Sequence, residues 1–348
     1  MSERVIEAFR EQGDVCGPMG SKFTADLCYA FADNLDHSTK VGTFCLDWQG
    51  DPGPSADSIP LRLCGGLHAL VLTERSAELA ALYPPHHDHV PQWNIISKAL
   101  KEHADFLLDW LQSPPQTNEV SRSGVVYPAL MAISKASNLP LQILEVGGSG
   151  GLNLQSDRFS YDLGGVQCGA DGSELHLSPE WRGNPPVKAD LQIAHRAACD
   201  LNPLDPLNAH DELRLRSYVW PDQPERKHRI DAALKIAQTY PAKVVLCDAV
   251  DWLGGSLEHL ANDLCTVIYS TIAWQYLPKS ARDAGEALIV TCGGSQTTPT
   301  KQLAWLRFEA DEQSPGGGIR LQMWPSGIDV QLGRADFHAR WVDWIGLD

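Results

Sequence analysis

The chain has 348 residues, of which 43 % are hydrophobic and 21 % are charged, and these values are ordinary for a globular protein with a large core. Its formal net charge of −16 excludes the broad cationic surface that duplex-binding proteins use to displace counterions from phosphates. We therefore expect a small-molecule substrate that is small or neutral, and no nucleic-acid partner.

The amino terminus lacks the unbroken apolar stretch of a signal peptide. No run approaches the roughly 18 apolar residues of a membrane helix. The nine cysteines are scattered without zinc or redox spacing, which is typical of buried thiols in a reducing compartment. We predict a cytoplasmic bacterial protein without a membrane partner. The oligomeric state stays open.

Residues 1–138 are predicted to form a helical region. Apolar residues recur at helical spacing from Ile96 to Leu111, and Pro114 and Pro115 end that helix. Further helices are predicted over about 61–82 and 121–137. His68 lies on an apolar helical face, which is typical of a satisfied core histidine. The histidines at 86, 87 and 89 are predicted to lie in a solvated loop, and no metal site is expected.

Residues 139–348 follow a different pattern, because short apolar runs alternate with connections and predict buried parallel strands. The predicted fold class is α/β, with a mostly parallel, Rossmann-like methyltransferase-type sheet, an inserted hairpin at about 159–184 and antiparallel strands at the C-terminus. Residues 287–292 have strand propensity but follow a helical pattern. The predicted strands lie at 141–146, 191–199, 243–247, 266–271, 303–308, 319–324 and 329–332.

A glycine-rich turn follows the first predicted strand, in the stretch EVGGSGG at residues 145–151. Glycines let a ligand approach the backbone, and the next helix would offer it free N–H groups. No Lys-Ser or Lys-Thr pair follows, as a P-loop requires, and Asn153 replaces the third glycine of the dinucleotide fingerprint. The acid before the first glycine fits the S-adenosylmethionine loop E/D-x-G-x-G-x-G. Ser149 stands at the middle glycine, where its Cβ would obstruct the methionine end. A tight turn without a ligand is the alternative. The predicted cofactor residues here are Glu145, Gly147, Gly148, Ser149, Gly151 and Asn153.

Acidic residues also end the next two predicted strands. Asp200 is placed to accept hydrogen bonds from ribose hydroxyls if 159–184 forms a hairpin, and otherwise Asp162 or Asp171 is the candidate. Asp248 lies where such domains contact adenine. Each acid alone is equally typical of a helix cap, but three in order at successive strand ends favour a cofactor site. The predicted cofactor residues here are Asp200, Asp248 and Ala249.

Several motifs occur together along the chain: QTNEV at 116–120 with Arg122, the strand and loop at 144–154, DLNPLD at 200–205, VWPDQ at 219–223 with Arg226, and YS at 269–270 before YLP at 276–278. In these motifs the chain resembles an uncharacterised bacterial family, domain of unknown function 2332. That family is Rossmann-like and resembles class I S-adenosylmethionine-dependent methyltransferases. The resemblance implies the fold over most of the chain and does not assign an activity.

Three groups of residues near predicted strand ends are candidates for substrate contact. The first precedes the helix at 121–137 and is equally typical of a helix N-terminus. The second precedes another helix, where its acid is equally typical of a cap and its tryptophan of a pocket wall. The third follows the fourth strand, where aromatic residues are equally typical of a core. The candidates are Asn118, Glu119, Arg122, Trp220, Asp222, Gln223, Tyr269, Ser270 and Tyr276.

We interpret the chain as an S-adenosylmethionine-dependent methyltransferase-like protein without an identified catalytic base. One alternative is a serine esterase-type hydrolase, because the stretch from Gly147 to Gly151 matches G-x-S-x-G, with Ser149 as nucleophile and His338 as the nearest suitable base. Another is a non-catalytic ligand-binding protein that retains the fold. The first interpretation predicts that Gly147→Val and Asp200→Ala abolish cofactor binding with the fold intact.

Overall fold

The structure is a computed structural model that describes residues 2–85 and 91–347. The α-helices are α1 (Ser2–Cys16), α2 (Lys22–Asn34), α3 (Lys40–Leu46), α4 (Ile59–Leu72), α5 (Ala77–Ala80), α6 (Trp93–Glu102), α7 (Ala104–Leu111), α8 (Ser123–Ser137), α9 (Ala209–Ser217), α10 (Pro224–Thr239), α11 (Ala249–Leu257) and α12 (Lys279–Gln296). Short 3-10 helices span Val120–Arg122, Leu152–Arg158 and Trp274–Tyr276. The strands are β1 (Leu141–Val146), β2 (Ser160–Leu163), β3 (Val166–Gly169), β4 (His176–Leu177), β5 (Glu180–Gly183), β6 (Ile193–Asp200), β7 (Val244–Leu246), β8 (Leu264–Thr271), β9 (Lys301–Glu309), β10 (Gly317–Trp324), β11 (Ile328–Ala335) and β12 (Trp341–Trp344).

Two compact units make up the chain. The first unit comprises Met1–Thr117 and Asn208–Asp231, and the second unit comprises Asn118–Leu207 and Ala232–Asp348. Residues 118–137 were expected to belong to the helical region, but they pack within the second unit. The carboxyl-terminal part of α10 also belongs to the second unit.

The first unit is helical, as the sequence predicts. Its core is built from apolar faces of α1, α2, α4, α6 and α7, with Phe9 and Leu67 fully buried. The predicted long helix is divided at His103, whose φ of −113° and ψ of 26° leave the helical region and separate α6 from α7. The predicted core histidine is confirmed, because His68 is buried and its Nδ1 lies 3.0 Å from the Ser217 carbonyl oxygen.

The second unit contains a nine-stranded sheet in the order β5-β12-β11-β10-β9-β8-β1-β6-β7. Strands β7, β6, β1, β8 and β9 run parallel. The pairs β9–β10, β10–β11 and β11–β12 are antiparallel, and β5 pairs parallel with β12 at the edge. The predicted α/β class, with its parallel centre and antiparallel C-terminal end, is confirmed. Right-handed crossovers favour helices on both faces of such a parallel sheet.

Both faces of the central strands β1 and β8 are buried, which explains their continuous apolar sequences, whereas β6 and the edge strand β7 include exposed residues. Along β1, Leu141 and Ile143 pack in a cluster with α8, whereas Leu144 and Val146 pack in a cluster with α11 and α12. The ambiguous residues 287–292 lie within α12. Ile289 and Cys292 are three residues apart and are both buried, a helical rather than an alternating spacing.

The connection from β1 to β6 has no α-helix. It begins with the 3-10 helix Leu152–Arg158 and continues through β2 and β3, which pair antiparallel as the predicted hairpin. The alternative acid Asp162 lies in this hairpin and accepts from the backbone N–H of Gly165 at 2.9 Å. The carboxyl end of the second parallel strand is therefore Asp200 rather than Asp162.

None of the helices in residues 2–85 and 91–347 combines the length and apolarity needed to cross a bilayer. All nine cysteines are free thiols, and seven of them are buried. Their use as small apolar side chains is confirmed by this burial.

Candidate functional site

The candidate site of the second unit lies where the order of the parallel strands reverses. Strand β1 pairs with β6 on one side and with β8 on the other, and the connections leave in opposite directions along the sheet. Open α/β sheets bind ligands in the crevice at such a switch point, outside the carboxyl ends of the strands. The glycine loop at residues 147–151 follows β1 at this position.

Packing explains why the loop contains glycine. Gly147 has a φ of +76°, and a Cβ there would lie 2.5 Å from Ala273 Cβ. A Cβ on Gly148 would lie 2.6 Å from Ala198 Cβ, and the N–H groups of Gly147 and Gly148 both donate to the Cys199 carbonyl at 3.0 and 3.1 Å. The loop therefore folds closely over the neighbouring strands. Gly147→Val should disturb the fold, contrary to the expectation from sequence.

The Asp200 carboxylate stabilises this loop through hydrogen bonds. One carboxylate oxygen accepts from the Ser149 N–H at 2.8 Å, and the other accepts from the Asn202 N–H at 2.8 Å. The Leu204 N–H donates in turn to the Ser149 carbonyl at 3.2 Å. The loop and the DLNPLD motif are thus joined through backbone groups, and the Asp200 carboxylate has a defined orientation at the end of β6.

The Ser149 side chain turns into the protein. The residue is 5 % exposed, and its Oγ is buried without a hydrogen-bond partner among the described residues. A hydrolytic nucleophile needs contact with both a base and a substrate, and the buried Oγ has neither. This geometry does not provide Ser149 with the contacts that a hydrolytic nucleophile needs.

Residues 118–123 form hydrogen bonds to the residues that directly follow the glycine loop. The Asn118 Oδ1 accepts from the Leu152 N–H at 3.0 Å, and the Asn153 Nδ2 donates to the Glu119 carbonyl at 3.3 Å. Ser123 Oγ donates to Asn153 Oδ1 at 2.7 Å. The prediction of an α-helix after the loop is wrong, because this segment is a 3-10 helix. The N–H of its first residue, Leu152, donates to the Asn118 side chain.

Arg122 links the end of β8 to the segment between β11 and β12. Its guanidinium donates to the carbonyl oxygens of Phe337 at 2.9 Å and Thr271 at 3.1 Å. Buried carbonyls need such partners, so Arg122 holds the end of β8 in place. The role in substrate contact that was predicted for Asn118, Glu119 and Arg122 stays a prediction.

Glu145 is buried inside the sheet, with its side chain 3.1 Å from the Tyr269 hydroxyl that donates to it. Burial raises the pKa of Glu145 to about 8, while the Tyr269 hydrogen bond and the nearby Arg122 charge oppose this shift. Tyr269 and Ser270 are buried in β8 as well. In the described structure these three candidates contact protein rather than solvent.

The turn after β8 is held by Glu309. Its carboxylate accepts from the N–H groups of Ala273, Trp274 and Gln275 at 3.1 to 3.3 Å. Burial raises the pKa of Glu309, and these hydrogen bonds oppose the rise. Three consecutive N–H groups form a concave anion site that an internal carboxylate occupies. The candidate Tyr276 lies on this turn and is 61 % exposed.

Asp248 caps α11. Its carboxylate accepts from the N–H groups of Val250 at 2.8 Å and Asp251 at 3.3 Å, and Ala249 is the first residue of the helix. Close by in the sheet, Leu246 pairs with Asp200 across β7 and β6 and is 70 % exposed, and Leu201 is 71 % exposed. Both leucines are therefore exposed at neighbouring strand ends, next in sequence to or paired with Asp200.

Trp220, Asp222 and Gln223 belong to the first unit. Asp222 accepts from the Ser21 hydroxyl at 2.5 Å and the Phe23 N–H at 2.8 Å, so it caps the beginning of α2. Gln223 Nε2 donates to the Met19 carbonyl at 3.2 Å. The sequence indicated a helix cap for Asp222, but the capped helix lies 199 residues away in the chain.

Sequence reasoning missed Leu201, Leu246 and Glu309. Leu201 follows the predicted ribose-binding acid directly, and this position was a usable signal. The sequence around Glu309 contained no such signal, because the three N–H groups that donate to it lie about 35 residues earlier in the chain. Residues 2–85 and 91–347 hold no group of three or more side chains suited to a metal ion. The histidines at 86, 87 and 89 lie outside the described residues.

The strand order of the nine-stranded sheet and the position of the glycine loop define the second unit as Rossmann-like. Together with the helical first unit, it makes the chain a mixed α/β protein. The chain belongs to a bacterial family described as "Uncharacterized protein conserved in bacteria (DUF2332)", whose profile matches residues 6–344. No curated protein and no solved structure matches the chain significantly.

Proposed function

We propose that the second unit binds S-adenosylmethionine at the carboxyl ends of β1, β6 and β7 and transfers its methyl group to a small or neutral acceptor. The observation that carries this proposal is the glycine loop at the switch point of the sheet, braced by Asp200. Nucleoside cofactors are bound at this place in open α/β sheets.

The residues around the loop fit such a cofactor. Asp200 stands at the end of the second parallel strand with an oriented carboxylate, suitable for accepting from ribose hydroxyls. Leu201 and Leu246 are 71 % and 70 % exposed, and burying apolar surface is worth about 25 cal/mol per Å². A flat adenine ring over these leucines would recover part of that energy, with Asp248 and Ala249 beside it.

The cofactor would supply a methyl group on a positively charged sulfur. Its transfer requires in-line approach and exclusion of water, so positioning by this chain can suffice without a general base. The exposed Tyr276, on the turn that Glu309 holds, is the best placed of the second unit's substrate candidates to meet an acceptor. The buried candidates Tyr269 and Ser270 would help to position the turn that carries Tyr276.

Titration calorimetry of the full chain with S-adenosylmethionine, S-adenosylhomocysteine and NAD tests the proposal. We expect micromolar affinity for the first two, near −8 kcal/mol at about 1 μM, and none for NAD. Leu201→Asp should weaken binding of S-adenosylmethionine at least about tenfold, because it removes the apolar surface and adds charge. Ile345→Asp is the matched control, since Ile345 is 52 % exposed and follows β12 at the opposite side of the sheet.

Absence of heat with S-adenosylmethionine would overturn the proposal, as would equal losses in the two variants. Binding of NAD in preference would point to a dehydrogenase-type site. Tight binding without methyl transfer to any acceptor would support the non-catalytic alternative.

A further inference from the structure

The first unit contains a cavity of about 640 Å³, within the range of small-molecule sites. All of its described lining residues belong to the first unit. They come from α2, α4, α9 and α10 and from the segments at 83–85 and 219–222. The cavity is therefore separate from the proposed cofactor site and does not depend on it.

Aromatic rings form one wall of this cavity. The Tyr83 ring lies 4.7 Å from the Phe23 ring and stacks on His68 at 5.7 Å with an interplanar angle of 20°. Burial lowers the pKa of His68 to about 4, so the imidazole is neutral near pH 7. This wall is uncharged and aromatic, with the Phe23 and Tyr83 rings tilted by 58° to each other, and it suits an apolar aromatic group.

The acidic side chains among the described lining residues all have hydrogen-bond or ion-pair partners. Asp222 accepts from the Ser21 hydroxyl and the Phe23 N–H. Asp26 pairs with Lys22 at 2.5 Å, and Asp231 pairs with Arg216.

Lys227 also lines the cavity and lowers the pKa of His68 through its charge. Among the lining cations it is the one without an ion pair in residues 2–85 and 91–347. An anionic group on a ligand would complement this charge.

We propose that this cavity binds a small aromatic carboxylate, with the ring against the Phe23–Tyr83–His68 wall and the carboxylate toward Lys227. The aromatic wall provides affinity by burying apolar surface. Lys227 provides selectivity for an anion over a neutral compound of the same shape.

Calorimetry of the full chain with 2-naphthoate and with the neutral 2-naphthamide tests both features. We expect 2-naphthoate to bind about fivefold more tightly, as for a partly exposed ion pair. Lys227→Gln should remove this difference. Lys235→Gln is the matched control, because Lys235 lies two turns further along α10 and pairs with Glu174. Val71→Trp, which fills the cavity, should weaken binding of both compounds.

Equal affinity of the wild type for the two compounds would overturn the assignment of an anion site, as would an unchanged preference in Lys227→Gln. Undiminished binding of 2-naphthoate to a folded Val71→Trp variant would show that the compound binds elsewhere. Failure of either compound to bind would overturn the proposal as a whole. None of these results depends on binding of S-adenosylmethionine.

Discussion

Replacing Glu145 with glutamine should change the pH dependence of stability. The carboxyl group is 1 % exposed, and burial raises its pKa to about 8 from an ordinary 4.5. Between these values the folded chain keeps a proton that the unfolded chain has released. The contribution of the protonated Glu145 to the free energy of unfolding is therefore fully present below pH 4.5 and is lost as the pH rises through about 8.

The magnitude follows from the size of the shift. Each pH unit between the two pKa values corresponds to about 1.4 kcal/mol, so Glu145 should lower the free energy of unfolding by about 3 kcal/mol between about pH 5.5 and pH 7.5. Glutamine cannot ionise, yet its amide oxygen can still accept from the Tyr269 hydroxyl. The free energy of unfolding of Glu145→Gln should therefore not fall in this way with rising pH, and above neutral pH the variant should be more stable than the wild type.

Urea denaturation followed by circular dichroism at the two pH values measures the effect. Glu312→Gln is the control, because Glu312 is an exposed glutamate in the same unit. His68 also titrates, with a pKa lowered to about 4, but its contribution is common to all variants and cancels. Parallel pH profiles for the wild type and Glu145→Gln would refute the reasoning, because they would mean that Glu145 does not hold a proton in the folded state.

The glycine loop and its far end provide two further predictions. Gly147→Ala should cost about 2 kcal/mol or more, because of the contact with Ala273 and the φ of +76°. Adding Ala273→Gly should restore part of the melting temperature, and no recovery would show that this contact is not the cause. Asn118→Ala should cost about 1–3 kcal/mol in chemical denaturation, because it leaves the buried Leu152 N–H without an acceptor. Asn118→Asp retains an acceptor and should cost less, and equal losses would contradict this account.

Local sequence determined most elements of the second unit and their order, but not β5, β12 or the 3-10 helix after the loop. Parallel strands buried on both faces require continuous apolar runs, and β1 and β8 were recognisable for this reason. Strands β6 and β7 were recognisable from shorter apolar runs, although both include exposed residues. The glycine loop was equally visible, because close packing against Ala198 and Ala273 excludes side chains there. Strand pairing, however, depends on contacts between distant parts of the chain.

Hydrogen-bond partners around the site could not be predicted in this way. Nothing near Asn118 in the sequence indicates that it accepts from Leu152, and nothing near Asp222 indicates that it caps a helix 199 residues earlier. Side chains of this kind satisfy whichever backbone group the fold brings near. Their residue type therefore predicts a polar contact but not its partner.

The sequence by itself determined the helical first part, the α/β second part and the place of the loop, because hydrophobic periodicity and glycine act over a few neighbouring residues. Tertiary structure alone decided that Glu145 is buried with a raised pKa, that Leu201 and Leu246 are both exposed, and that the first unit contains a cavity. Burial and exposure are properties of the packed whole, since each depends on atoms contributed by distant segments of the chain.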